Sequence, residues 1–421
     1  MSRVSRAIFN LKQSVQAGLS KTVFKNHRRQ KLYIRPINEK AYYVENDIVK
    51  FDLKGHGVDY INLQNSFIMC EITGIKDSNY NSPTKQTIYL PYGTVGLLRR
   101  FRLLFGSVSL QDLENCGLLW WMLMYGSSVQ ENQNLGTGFT TTCDFKIDGT
   151  KNNPATMKIP FMTILDICKE IPIFQVADRV TMEFTLNSAN NCICCEKEDT
   201  QGAKFMITKM RLVVDGRVAT SGGILEGSEF TFHSWDWRGY QNFLNQEQKS
   251  FSISYDLKKS SVKRFISKWV FPQATDFPAG TSFIKSEPNQ LKYWYFSMGG
   301  KYLPYDFPMD NTMIMYQQLL SFFHLNFNMG FLTNQTIQYC TNTDSSTGHA
   351  LHNFLKNFFW FCCVFDRLPQ NNQVMSGIST ERFDIQLHVD LAIQLLTPLL
   401  VSFFEYDIIV HFRGGLIEIE D

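Results

Sequence analysis

The chain has 421 residues, 44% of them apolar and 19% charged, with a formal net charge of +2. That balance supplies a large buried core and excludes an intrinsically disordered chain, which carries fewer apolar residues and more net charge. It also excludes a protein that binds nucleic acid over its whole surface. Length predicts two or three domains at about 150 residues each. Aromatic content is 14%, with 35 Phe and 17 Tyr. Each buried ring removes roughly 150–250 Å² from water, which suits thick sandwich cores and large subunit contacts. No apolar segment follows Arg3 and Arg6 as it would in a secretory signal. The most apolar stretches, Phe358 to Phe365 and Leu395 to Phe404, are shorter than the roughly 18–20 residues of a membrane span. Ten Cys lack the rhythm of a disulfide framework, so free, buried thiols and a soluble intracellular product are expected.

The first 35 residues stand apart: Arg3, Arg6, Lys12, Lys21, Lys25, Arg28, Arg29, Lys31 and Arg35 occur with no acidic residue before Glu39. Ile8, Leu11, Val15 and Leu19 recur at helical spacing and predict an amphipathic helix between Ala7 and Leu19. His27, Arg28, Arg29 and Lys31 read as a solvated basic tract. Such an arm is either a disordered, solubilising tail or a device that touches an anionic surface or polymer, each cation neutralising about one phosphate.

From Ala41 the pattern becomes β-like, with strands predicted over Asp47 to Leu53, Ser66 to Ile72 and Leu97 to Phe105. Leu110 to Tyr125 reads as a helix, and the polar, Gly-, Thr- and Asn-rich stretch Gln130 to Asn153 as a long loop. Strands resume at Thr156 to Pro160, Arg179 to Leu186 and Ala203 to Val214, and the Gly-containing patch Gly216 to Gly227 marks a domain boundary. The pattern then restarts with Phe251 to Tyr255, Val262 to Val270 and Leu291 to Phe296, a helix from Asn311 to His324, and a polar loop at Thr341 to Gly348. Another short helix precedes the strand Phe358 to Asp366. Phe383 to Leu391, Leu399 to Tyr406 and Ile408 to Ile419 close the chain. The same order of elements in both halves predicts an all-β chain of two similar β-sandwiches.

Motifs of catalysis are missing. Gly299-Gly300-Lys301 lacks the upstream Gly and the following Ser or Thr of a phosphate cradle, and no nucleophile elbow or His-Glu-x-x-His helix occurs. Cys192, Cys194 and Cys195 form a metal-like cluster, but its available partners, Cys362 and Cys363 or His349 and His352, fit no zinc spacing. A group of strand-end thiols is the plainer reading. Asp166, Glu170 and Asp178 have the spacing of loop charges and no neighbouring His or Arg cluster, so acid–base chemistry is not expected of them. Asn334-Gln335-Thr336 matches a glycosylation sequon by chance. Trp235, Trp237 and Tyr240 could stack on a sugar or base, but packing in a core or between domains is the favoured fate of such rings. No cofactor, metal or small-molecule substrate is expected, and the chain is read as a non-enzyme.

Several ordered motifs carry a resemblance. Ile61 to Ile68 (INLQNSFI) looks like an opening strand with a polar turn. Leu97 to Tyr125 pairs an arginine-bearing strand with a short helix, and Lys158 to Leu186 carries paired Ile-Pro units and an alternating return strand. In the second half Lys259 to Ile266, Tyr293 to Pro304, Ser376 to Thr380 and Phe404 to Gly415 fall in the corresponding order. Over residues 40 to 421 the set resembles the double jelly-roll major capsid proteins of Polinton/Maverick elements, adintoviruses and virophages. The loop after Tyr125 and the Cys cluster do not map onto that family.

The resemblance implies two tandem eight-stranded jelly-roll sandwiches with short helices in connecting loops. The divisions are a basic N-terminal arm at 1–38, a first jelly roll at 39–220 and a second at 221–421. It further implies a homotrimer whose six jelly rolls give a pseudo-hexagonal capsomer in an icosahedral virion shell around double-stranded DNA, assembled inside the host cell. Its partners would be itself, neighbouring capsomers, penton and minor or cement capsid proteins, with the arm inside the shell against genomic DNA, membrane or a minor protein. Two alternatives are a minor or vertex capsid protein with one jelly roll and a carbohydrate-binding β-sandwich protein. The repeated order of elements opposes the first, and the lack of a sugar platform or converging acids opposes the second.

Overall fold

The computed structural model describes residues 27–76, 80–90, 92–126, 145–149, 154–167, 171–176, 178–193, 203–219, 230–245, 248–270, 291–310, 312–323, 360–365, 377–392, 399–413 and 416–421. The first half contains β1 (His27–Ile34), β2 (Ile48–Asp52), β3 (Tyr60–Ile75), β4 (Ile88–Leu90), β5 (Leu98–Phe105) and β6 (Val108–Glu114). Helix α1 (Cys116–Gly126) follows, then β7 (Phe145–Ile147), β8 (Ala155–Pro160), β9 (Ile171–Pro172), β10 (Val180–Leu186), the one-turn helix α2 (Ala189–Cys192) and β11 (Lys204–Ala219). The second half contains β12 (Phe230–Phe243), β13 (Ser250–Tyr255), β14 (Val262–Val270), β15 (Leu291–Met298) and β16 (Lys301–Leu303). Helix α3 (Thr312–Phe322), β17 (Phe361–Val364), β18 (Ile385–Leu391), β19 (Leu399–Arg413) and β20 (Leu416–Glu420) complete it.

Hydrogen bonding orders the first half as β1-β11-β3-β8, with β9 beside β3, facing β2-β10-β5-β6. The second half gives β12-β19-β14-β17, with β20 beside β19, and β13-β18-β15-β16. The orders correspond strand for strand: β1 with β12, β2 with β13, β3 with β14, β5 with β15, β6 with β16, β8 with β17, β10 with β18 and β11 with β19. Helices α1 and α3 also fall at the same step. The chain is thus two jelly rolls of identical connectivity. β4 and β7 form an additional ribbon in the first.

Alternation explains the sandwiching. On β18, Ile385, Leu387, Val389 and Leu391 point inward, while Gln386 is exposed and His388 and Asp390 are half-buried on the outer face. Phe404 and its cross-strand neighbour Phe265, ring centres 4.8 Å apart, pack across to the other sheet of the second half, Phe404 on Tyr255 and Phe265 on Phe296, both at 4.8 Å. In the first half Phe184 meets both Phe101 and Phe161 at 5.1 Å. The β15–β16 hairpin turns through Gly299 (φ 57°) and Gly300 (φ 78°). Two consecutive positive φ values are what a tight two-residue hairpin demands, and Gly supplies them without strain. Gly299-Gly300-Lys301 is therefore turn chemistry.

Several expectations are corrected. The tract from His27 to Lys31 is not loose: it belongs to β1, paired with β11 from His27↔Ala219 to Ile34↔Leu212. Leu32 and Ile34 anchor it in the core, so the first sheet begins inside the segment read as arm. The helix read from Leu110 is a strand up to Glu114; Asn115 at φ 54° then breaks the strand, and the helix starts at Cys116. Within the segment read as a loop, Phe145–Ile147 is a strand paired with β4. The closing strands read as 399–406 and 408–419 are one strand through Arg413 and a separate β20. Residues buried on both faces lose the alternation that marks strand ends.

Candidate functional site

The two jelly rolls meet along a seam built from β6 and β12. Gln111 on β6 donates from Nε2 to Oδ1 of Asp236 on β12 at 2.8 Å, and its Oε1 accepts from the Ile164 backbone N–H at 3.2 Å. Ser234 Oγ donates to the Ile164 carbonyl at 2.7 Å. Asp236 Oδ1 also accepts from the Trp237 backbone N–H, and Oδ2 accepts from the Tyr406 hydroxyl at 2.9 Å. Burial pushes the Asp236 carboxyl up to about 6, against the opposing effect of these donors, and holds the Tyr406 hydroxyl well above its ordinary range. A Cβ on Gly239 would lie 3.0 Å from the Glu114 carbonyl, so the strands approach closely where Gly leaves room. A cleft of about 520 Å³ runs along the seam, lined among others by Arg100, Asp112, Asp236, Trp237 and Tyr406.

Beside the cleft the seam is apolar. Trp121 on α1 meets Trp360 edge-on at 5.8 Å, and Phe105 meets Phe412 at 6.1 Å. The ammonium of Lys268 lies 5.6 Å from the Trp121 ring centre. Lys268 is fully enclosed, and burial pulls it down to about 7. The Trp121–Lys268 contact lies on the outer face of sheet β12-β19-β14-β17, where Ile266, Lys268 and Phe403 are all buried. A helix that is apolar all round, as α1 is, fits this position between two sandwiches.

Two buried ion clusters stiffen the same sheet. Arg264 clasps Glu405 with Nε at 3.1 Å from both carboxylate oxygens, and also donates to the Phe322 carbonyl. Asp407 accepts from His233 at 2.8 Å and from Ser261 Oγ at 2.6 Å, and pairs with Lys263 at 3.0 Å. Burial opposes its charge, yet the His233 and Ser261 hydrogen bonds and the Lys263 charge together hold it below the usual carboxylate range. Ser261, His233 and Asp407 are the residue types of a hydrolytic triad. Here serine and histidine both bond to the aspartate, so the imidazole is not placed to take the serine proton. The arrangement locks strands together.

Arg28, Arg29 and Lys31 lie on β1 and Arg35 just beyond it, all exposed. Arg29 pairs with Asp215 at 2.5 Å and Arg35 with Glu39 at 3.8 Å. Arg3, Arg6, Lys12, Lys21, Lys25 and the helix read from Ala7 to Leu19 lie outside the described residues, as do Cys194, Cys195, Glu170, His349, His352 and the sequon. Cys192 is buried, with its thiol 3.1 Å from the Ser188 carbonyl. Cys362 and Cys363 are buried in β17, where burial raises both thiols well above their ordinary range. Among the described residues no cluster of His, Cys, Asp and Glu could hold a metal ion. Asp166 is half-buried, its carboxyl pushed up to about 7 by desolvation, and it accepts from the Thr163 N–H, whereas Asp178 is exposed. Trp237 lines the seam cleft and Tyr240 packs inward on Tyr255 and Phe404, so with Trp235 they form no shared platform. Sequence reading missed Gln111, Asp236 and Lys268. The available signal was acids inside an apolar run, such as Glu405 and Asp407 in LLVSFFEYDIIVHF.

No family model matches the sequence, and no curated protein matches it. Solved structures do. The capsid of the virus PBCV-1 superposes with a TM-score of 0.62 at 11% identity, covering 94% of this chain and 97% of that one. The Faustovirus major capsid protein gives 0.56 at 9% identity, covering 92% and 90%. The Sputnik virophage structure gives 0.54 at 9% identity, covering 94% and 88%. These neighbours are double jelly-roll major capsid proteins, and this chain shares their fold over more than nine-tenths of its length.

Proposed function

We propose that this chain is the major capsid protein of a virion: a structural subunit, not an enzyme, that forms homotrimeric, pseudo-hexagonal capsomers and builds an icosahedral shell around double-stranded DNA. The observation that carries the reading is the duplication. Two jelly rolls of identical strand order are fused by a buried, polar-matched seam, so one chain supplies two of six equivalent places in a ring, and three chains close it. That the superposing structures are a virus capsid and a major capsid protein supports the same reading. A minor or vertex protein with one jelly roll does not fit a chain with two. Its partners would be itself, penton and minor or cement capsid proteins, with genomic DNA or another anionic surface meeting the basic residues Arg3, Arg6, Lys12, Lys21 and Lys25.

The test is the mass of the full chain by light scattering coupled to gel filtration, with negative-stain images of the same fraction. Trimers of hexagonal outline, or closed shells, are expected. A monomer that never assembles at high concentration refutes the proposal.

A further inference from the structure

Sheets β2-β10-β5-β6 and β13-β18-β15-β16 occupy equivalent places in the two halves, yet their outer faces differ in kind. In the first half that face is ionic. Lys50, Glu183, Arg102 and Asp112 form one row across it, and Glu183 pairs with Lys50 at 2.9 Å and with Arg102 at 3.3 Å. In the second half hydroxyls and rings stand in place of the ions. Alternation on β13 sends Ser250, Ser252 and Ser254 outward, and all three are exposed. The central row runs Ser252, His388, Tyr295, and the row beside it Ser254, Gln386, Ser297, Tyr302. On the other side, Asp390 sits between Ser250 and Tyr293 and pairs with Lys292 at 3.2 Å.

The second face is held rigid by its own contacts. His388 Nδ1 lies 2.6 Å from Ser252 Oγ, and Nε2 lies 2.8 Å from Ser297 Oγ. Burial pulls the imidazole below its ordinary range, so at pH 7 it is neutral, donating to one serine and accepting from the other. The same ring stacks on Tyr295 at 4.6 Å, and Tyr302 meets Tyr295 edge-on at 4.7 Å. Tyr293 continues from Tyr295 with the ring planes 21° apart. Tyr295 is thus fixed, while its neighbours Tyr293 and Tyr302 stay 37% and 44% exposed.

This chemistry discriminates among ligands. A protein interface is built on an apolar core, and the three rows carry no aliphatic side chain. An anionic polymer needs free cations, and Lys292 is spent on Asp390. A neutral polyol matches the whole surface. Its hydroxyls exchange hydrogen bonds with Ser, Gln and His, and the C–H face of a sugar ring lies against the electron-rich face of a tyrosine. We propose that this face binds a neutral, unbranched glycan whose sugar rings rest on Tyr293 and Tyr302. It is the platform that Trp235, Trp237 and Tyr240 do not form. The site goes beyond the capsid reading and does not depend on the trimer.

Saturation-transfer NMR of the full chain with cellohexaose and with chitohexaose tests the site, with heparin as the anionic control. At least one of the two neutral chains should bind at millimolar concentration or below. Tyr293→Ala and Tyr302→Ala should each weaken that binding at least about 5-fold through loss of a stacking ring, with far-ultraviolet circular dichroism unchanged. Trp235→Ala, which removes an exposed ring from the other sheet, should bind as the wild type does. If a ring variant does not fold, Gln386→Ala removes an exposed partner from the same face and should weaken binding likewise. The proposal falls if neither neutral chain binds, if only heparin binds, or if the ring variants bind like the wild type. It falls equally if the ring variants lose self-association in sedimentation while keeping the sugar, because the face is then an interface between copies. None of these outcomes overturns the trimer reading.

Discussion

Asp236 offers a test of the seam by pH. Its carboxyl is held at about 6 by burial, against an ordinary value of 3.8. The native state therefore binds this proton more tightly than the unfolded chain does. Between roughly pH 4 and pH 6 the native chain carries the extra proton, so stability falls as pH rises through that window. Two units at about 1.4 kcal/mol per unit amount to about 3 kcal/mol, present below pH 4 and lost by pH 7. Asp236→Asn mimics the protonated acid: its carbonyl keeps the bonds from Gln111 and Trp237, and its amide donates to the Tyr406 hydroxyl. Wild type and variant should be equally stable near pH 4, with the variant ahead by about 3 kcal/mol at pH 7.5. In thermal unfolding, at about 2–4 °C per kcal/mol for a unit of this size, the gap becomes roughly 6–12 °C. Comparing the two proteins at matched concentration cancels Asp166, which titrates in the same range, and any contribution from assembly. Parallel pH profiles would refute the assignment of a costly buried charge to the seam.

Other perturbations address the remaining contacts. Trp121→Ala opens a cavity at the apolar part of the seam and should cost about 3–5 kcal/mol in denaturant unfolding, since the ring is fully buried between the two halves. Arg264→Met leaves Glu405 buried without its clasp and should cost about 3–5 kcal/mol, most of which Glu405→Leu in the same chain recovers; a double variant as unstable as the single one would sink this account. Deleting residues 1–26, which stops short of β1, should leave circular dichroism and capsomer mass unchanged while lowering the DNA content or yield of particles. Unchanged particles would remove the arm from packaging and assembly. A deletion to residue 35 should instead destabilise the first jelly roll, because it strips away β1 and with it Leu32 and Ile34.

The fold was legible where one face of a strand meets solvent. Val180–Leu186, Ser250–Tyr255 and Ile385–Leu391 lie within a residue or two of the strands read from alternation. It was illegible where alternation vanishes. β12 escaped notice because Phe230–Phe243 mixes aromatic, charged and Gly residues: along one face Tyr240 packs into its own sandwich while Ser234 and Asp236 meet the first half. β19 was split in two for the related reason that Leu399–Phe412 is almost wholly buried, so its charged residues looked like an interruption. β1 was masked by composition. Arg29 and Lys31 project outward while only Leu32 and Ile34 mark the inward face. The seam could not be read at all, because Gln111 and Asp236 are brought together by the docking of two units and no local pattern encodes that.

The halves share a topology but differ in what they bury, and the difference divides their labour. The outer face of sheet β12-β19-β14-β17 encloses Lys268, Glu405 and Asp407. Burying charge is expensive, and a pair is often no better than the apolar residues that could replace it. What such groups do add is a penalty on wrong arrangements: Asp236 meets Gln111 only when β6 lies along β12, and stranding a buried acid costs several kcal/mol. A face of that kind must close as its own chain folds, because it is costly while open. The counterpart face on β1-β11-β3-β8 keeps Arg29 and Lys31 exposed and presents Tyr33 to the surface, with Phe67 half-buried beneath the Lys158 ammonium. Exposed rings cost little while they wait and gain from burial when a partner arrives. The charge-matched seam is thus suited to permanence within the chain, whereas an exposed ring such as Tyr33 carries no such penalty while open.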